Sequence, residues 1–182
     1  MAVVLHKFRE HKVDPLTEIL IVGIFIPDTE TSDFFYGRSR NFLWHLLPQC
    51  WGQAPLKEAS LADKKKFMAS RKIDFADLIY ALDLVEDEGD STEETSIDSH
   101  VNQWTDLTGI IDTLPNLKAV YFTRKTFAGI PNMRNQMNAV SQHCAKRNIR
   151  VCKLDTPARF YSVDKQQQWI DTIVRQTTCL RV

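Results

Sequence analysis

The run Glu18-Ile19-Leu20-Ile21-Val22-Gly23-Ile24-Phe25 restricts the possible folds of this chain more than any other feature. It is almost continuously apolar and β-branched, without the alternation of a half-exposed strand, so it reads as a strand covered on both faces. Strands of that kind belong to parallel sheets, whose crossover connections lay helices on the sheet. Lys118-Ala119-Val120-Tyr121-Phe122-Thr123 and the segment from Asn148 to Leu154 read as two more strands, each preceded by a helical segment and a short turn. Ile73 to Ile79 reads either as a further strand or as a short helix. Between these, Arg40 to Leu47 reads as a helix, and Val101 to Leu114 as another, ended by Pro115 and Asn116. Pro131 opens a third, in which Met133, Met137, Val140 and Cys144 recur at helical spacing and mark one buried face. A last helix is expected from Asp164 to Gln176, with Trp169, Ile170, Ile173 and Val174 turned inward. Strands alternating with helices predict an α/β protein with a parallel sheet flanked by helices.

The chain has 182 residues, of which 43% are hydrophobic, enough for one well-packed core and too few for two, so a single domain is expected. Lysine plus arginine equals aspartate plus glutamate at 23 each, so a polyanion site would have to arise from local clustering. Cys50, Cys144, Cys152 and Cys179 contain no CxxC pair and are expected as buried, reduced thiols. The apolar run at residues 2–5 is too short for a signal segment and no stretch approaches a membrane span, which makes the cytoplasm the expected location. Glu86, Asp87, Glu88, Asp90, Glu93 and Glu94 crowd one stretch with Gly, Ser and Thr, which reads as a solvated surface loop that would keep away from phosphates.

The first strand runs into Ile26-Pro27-Asp28-Thr29 and then Phe34-Phe35-Tyr36-Gly37-Arg38-Ser39-Arg40-Asn41-Phe42-Leu43-Trp44. In open α/β sheets ligands bind where loops leave the carboxyl ends of strands, so a pocket is expected here. Three consecutive aromatics before a glycine and two arginines have two explanations. They form a stacking platform with phosphate-binding cations, or the rings plug the sheet edge.

The order strand, Pro, variable loop, aromatic-Tyr-Gly-x-x-Arg-Asn-x-x-Trp resembles the first signature of the uracil-DNA glycosylase superfamily, nearest to its mismatch-specific and hypoxanthine-type branches. Phe35, Tyr36, Gly37, Arg40, Asn41 and Trp44 match in register. Leu154-Asp155-Thr156-Pro157-Ala158-Arg159 is similar to the family's Ser-Thr-Ser-Pro-Ala-Asn/Arg loop, which enters the duplex. The resemblance implies a three-layer α/β/α sandwich with a mainly parallel sheet of about four strands. It also implies base flipping followed by hydrolysis of the glycosidic bond. Its residue assignments are Phe35 or Tyr36 stacking on the base, with Thr156, Pro157 and Arg159, helped by Arg38 and Arg40, gripping the DNA. Asn41 is either a helix cap or a catalytic residue. Thr123, at the end of its strand, stands where other branches read the base with an asparagine, and Arg124 and Lys125 beyond it face phosphate or solvent.

One departure bears on catalysis. Mismatch-type enzymes carry a water-orienting asparagine just before the proline, where this chain has Ile26, which has no acceptor. Asp28 either replaces it, orienting water or stabilising an oxocarbenium-like transition state, or is an ordinary turn residue. No cofactor is implied. The cysteines are not clustered for an iron-sulfur centre, the histidines lack metal-ligand spacing, and GxGxxG, GxxxxGK[ST] and GxSxG are absent. Three functions remain open: a monofunctional glycosylase acting on DNA, a catalytically impaired nucleic-acid or nucleotide-binding module, and a fold reused for protein contacts.

Overall fold

The computed structural model describes residues 2–83 and 94–176. Its centre is a parallel sheet in the order β3-β2-β6-β7, formed by β2 (Ile19–Gly23), β3 (Ile73–Asp77), β6 (Ala119–Phe122) and β7 (Arg150–Lys153). The apolar run on which the fold was inferred is therefore a central strand, paired on both sides, although its ladder stops at Gly23. Side chains alternate between two cores. Ile21 aligns with Phe75 and Tyr121, and Tyr121 with Cys152, on the face covered by α1 (Leu43–Gln49), α2 (Leu61–Arg71) and α6 (Val163–Ile170). Leu20, Val22, Val120 and Phe122 point to the other face, against α4 (Leu107–Asp112) and α5 (Pro131–Ala145). This is the expected three-layer α/β/α sandwich. The stripe Met133, Met137, Val140 and Cys144 is the buried side of α5, as its period requires.

A smaller antiparallel sheet, β1-β4-β5, comprises β1 (Val3–Leu5), β4 (Ile79–Asp83) and β5 (Val101–Trp104). The chain passes from β3 through Leu78 straight into β4, while the Leu78 and Ile79 amides remain bonded to the Gly23 and Ile24 carbonyls. The helix expected over Val101 to Leu114 is thus a strand followed by a short helix. Asp106 separates them, its side chain accepting from the Gly109 amide at 2.9 Å to start α4 at Leu107. The strand-or-helix alternative at Ile73 to Ile79 resolves as strand. The expected helix at Arg40 begins later, at Leu43, because Arg40 and Asn41 are engaged by another loop. α3 (Glu94–Ser99) precedes β5, and its buried Asp98 accepts from the Asn132 and Met133 amides, capping α5 from outside.

The last helix ends in a π-helical turn, Asp171–Arg175. Trp169 and Ile173 face inward as expected, but the wider turn leaves Val174 40% exposed. Cys50 and Cys144 are buried free thiols, whereas Cys152 is disulfide-bonded, against the expectation of four reduced cysteines. Cys179 and residues 84–93 of the acidic stretch lie outside the described residues. Among the described residues no helix is long and apolar enough to cross a membrane.

Candidate functional site

The carboxyl ends of β2, β3 and β6 meet at Gly23, Asp77 and Thr123. A Cβ on Gly23 would lie 2.4 Å from Asp77 Oδ1 and 2.7 Å from the Tyr36 hydroxyl, so only glycine leaves room for both groups. Tyr36 reaches this point from the loop after β2 with a left-handed backbone, φ 58°. That conformation is strained for an aromatic residue and is held because the flanking rings are locked in the core. Burial pushes its phenol well above the usual range, the Asp77 carboxylate adds to this, and Thr123 offsets part of it. Thr123 spends its own hydroxyl on the Val22 carbonyl at 3.3 Å. Neither the Tyr36 hydroxyl nor Asp77 Oδ1, both buried, makes a hydrogen bond of ordinary geometry.

The other Asp77 oxygen, Oδ2, bonds His6 Nε2 at 2.8 Å. His6 Nδ1 in turn accepts from the Phe8 amide at 3.1 Å, so the proton donated to Asp77 sits on Nε2. The segment bearing these residues continues along β3, where His11 Nε2 bonds Asp74 Oδ1 at 2.7 Å. Between this segment and β3 lies a cavity of about 60 Å³, lined by His6, Phe8, His11, Phe35, Asp77 and Tyr80 among others. Pockets that take small molecules usually run to about 300–1,000 Å³.

Phe35 is stacked on Phe75 (centroids 5.8 Å, 27°) and packed against Phe8 (4.7 Å, 31°). Phe34 is also buried, and Trp44 Nε1 donates to the Phe35 carbonyl at 2.8 Å. The aromatic triplet is thus core in this conformation, and of its three rings Phe35 is the one that lines the cavity.

Outside this buried end lies an exposed rim, where the two signature segments meet. Asn41 and Ala158 form a β-bridge, the Phe42 amide donates to the Pro157 carbonyl, and the Arg159 amide donates to the Arg40 carbonyl, the last two at 2.8 Å. Lys57 Nζ reaches the Ser39 and Asn41 carbonyls at 2.5 and 2.6 Å and lies over the Phe42 ring. Lys165 Nζ reaches the Phe160 carbonyl at 2.7 Å and lies 4.1 Å from that ring's centroid. Burial lowers the pKa of both lysines; Glu58 opposes this at Lys57 and Asp155 at Lys165. Arg38, Arg40, Thr156 and Arg159 are exposed on the rim, and Arg38 pairs with Glu30. Pro157 is buried, and Thr156 Oγ1 accepts from the Ala158 amide at 3.3 Å. Lys125 is paired with Asp155 at 2.7 Å.

Asp28 is exposed in a turn whose amide bonds the Leu5 carbonyl, outside the buried cluster. Asn41 Oδ1 accepts from the Leu43 amide at 3.0 Å, so that end of its amide supports the helix start, while Phe42 occupies the cap position itself. Among the described residues no group of three or more His, Cys, Asp or Glu is arranged to hold a metal.

The structure adds Asp77, His6, Phe8 and Phe160 to the residues read from sequence. A signal for Asp77 was present: Ile73-Asp74-Phe75-Ala76-Asp77 is buried throughout, and two acids in such a strand require partners. Phe160, 58% exposed beside the Thr156 to Arg159 loop, carried no signal beyond its position.

No family model matches the chain, and neither does any curated protein sequence. Among solved structures, a solution structure from Methanosarcina acetivorans, described as a putative uracil DNA glycosylase, matches 90% of this chain and 92% of that one. The TM-score is 0.63 at 19% identity. The two proteins share a fold, the uracil-DNA-glycosylase-like α/β/α sandwich.

Proposed function

We propose that this chain, as a single domain, binds DNA, turns a nucleotide out of the duplex and holds its base at the carboxyl ends of β2 and β3. Hydrolysis of the N-glycosidic bond of a deaminated or mismatched base, such as uracil or hypoxanthine, is the reaction that this arrangement would serve. The observation that carries the reading is the joining of the two signature segments by the Asn41–Ala158 bridge, a few residues along the chain from the buried Tyr36. A rim bearing Arg40, Arg159, Thr156 and the exposed Phe160 ring suits phosphates and an opened base stack. The likeness to the described glycosylase supports the reading through the fold.

In this reading Arg38, Arg40, Thr156 and Arg159 contact the backbone and Pro157 stiffens their loop. Phe35 and Tyr36 face the base, with Thr123 beside the Tyr36 hydroxyl. Asp28 or the amide end of Asn41 that is not bonded to Leu43 positions water. A second reading, binding without cleavage, is favoured by Ile26, which stands where an asparagine orients water in mismatch-type enzymes and offers no acceptor.

The test is an incision assay on duplexes carrying uracil, hypoxanthine, xanthine or thymine opposite guanine, with Asp28→Ala and Asn41→Ala run alongside. Excision of one of these bases, lost in a variant that still binds DNA, establishes the enzyme. Salt-sensitive binding without excision establishes the second reading. No binding at low salt refutes both and leaves a fold reused for protein contacts.

A further inference from the structure

His6 and Phe8 together present to the pocket what a nucleobase would present. The imidazole is a flat heteroaromatic ring whose Nε2–H donates to a carboxylate that is itself buried. It lies 5.8 Å from the Phe35 centroid, tilted by 35°, and 5.8 Å from Phe25. Phe8 lies against Phe35 at stacking distance, 4.7 Å and 31° from parallel. Yet the substitution is incomplete. Asp77 Oδ1 and the Tyr36 hydroxyl stay buried without partners, and both face the same point above Gly23. A base with a ring N–H beside a carbonyl could give the carboxylate a donor and the phenol an acceptor, whereas His6 serves only one oxygen of one group.

The segment carrying these residues is held on both sides as far as Lys7: β1 pairs over Val3–Leu5 with β4 and His6 N continues to Tyr80 O, while on the other side Asp28 N bonds Leu5 O and Lys7 N bonds Ile26 O. Beyond Lys7, Phe8, Arg9 and His11 make bonds within the segment, and Asp74 holds it through His11 Nε2 and the Asp14 amide. A short stretch outside a ladder opens more readily than a core strand. Phe8 itself is only half-buried.

We propose that residues 6–8 are an internal occupant of the nucleobase pocket, with His6 standing in for a base edge on Asp77 and Phe8 covering Phe35. A flipped base with a ring N–H enters by displacing them. Asp77 is then the residue that reads that N–H. The inference rests on the function proposed above and adds to it a self-blocking segment and a specificity residue outside both signatures.

The experiment uses the full chain, wild type and Phe8→Ala, with a duplex carrying one U·G pair and a matched C·G duplex at low salt. Binding is read by fluorescence anisotropy, and opening of the segment by hydrogen exchange at the Lys7 and Phe8 amides. The expected results are affinity for the U·G duplex about tenfold tighter in Phe8→Ala, because removing the occupant raises the binding-competent fraction. In the wild type, exchange at both amides should be faster with the U·G duplex bound than without it. Binding of the U·G duplex with slower exchange at these amides, or with no gain in Phe8→Ala, overturns the occupant while leaving the DNA-binding function standing. Failure of both proteins to bind either duplex overturns the function and the occupant with it.

Discussion

Phe35 and Phe160 belong to the two segments joined by the Asn41–Ala158 bridge, yet Phe35 is 2% exposed and Phe160 58%. Phe35 is packed among Phe34, Phe75 and Phe8 and contributes to the core beneath the sheet's carboxyl end. Phe160 has a lysine over its ring and otherwise faces solvent. Two aromatic rings a few residues from the bridge therefore do two different things. The buried side spends its rings on stability and leaves polar atoms unsatisfied. The exposed side satisfies its backbone carbonyls and leaves a ring uncovered. A single exposed aromatic is unremarkable on a protein surface. Phe160 is distinguished by Lys165 over its ring and by its place beside the loop that bears Arg159.

The contrast breaks first on stability. Phe75→Ala, at the floor of the buried ring cluster, should cost about 3–5 kcal/mol in urea unfolding, whereas Phe160→Ala should stay within about 0.5 kcal/mol. A destabilisation by Phe160→Ala comparable with that of Phe75→Ala would show the rim ring to be core after all. Gly23→Ala comes next. Its added methyl meets Asp77 and Tyr36, and overpacking there should cost about 1–3 kcal/mol and remove base binding while duplex contacts at the rim persist. Unchanged binding of a U·G duplex in a folded Gly23→Ala protein would show that the base does not enter at this point.

Arg40→Ala and Arg159→Ala should each lower the slope of log affinity against log salt by about 1, with thermal stability nearly unchanged. Equal slopes in variant and wild type would place the phosphates elsewhere. The smallest effect concerns the thiols. Burial pushes Cys50 to about 12 and Cys144 to about 11, so neither should react with a thiol reagent near neutral pH until the protein unfolds. Because the folded values are raised, the unfolded chain releases these protons first. The associated stability is intact below the ordinary thiol range and is lost as pH rises toward about 12. Alkaline unfolding curves of Cys50→Ser and Cys144→Ser should be correspondingly flatter.

Much of the layer architecture was legible in the sequence because it rests on period. The unbroken run at β2 required two covered faces, and the α5 stripe required one. β5 was missed because Val101 continues an apolar pattern compatible with either period, and only the Thr105-Asp106 cap divides it. α2 was missed although Ser60 and Asp63 form a reciprocal cap, because its inward side amounts to Phe67 and Met68 with a buried Lys64. The two segments that meet at the Asn41–Ala158 bridge were legible as motifs. The buried end was not, since Asp77 meets His6 across 71 positions and nothing local in either residue announces the other. Such pairings are properties of topology, here of β1 folding back beside the end of β3.

The Asn41–Ala158 bridge also has a mechanical meaning. Tyr36 and Arg159, the residues near its two ends, both hold left-handed backbones, at φ 58° and 77°. A backbone tie between two tensioned turns transmits load. A push on the outer loop would be felt as torque on the turn that carries Tyr36, so the surface and the interior would respond to one lever.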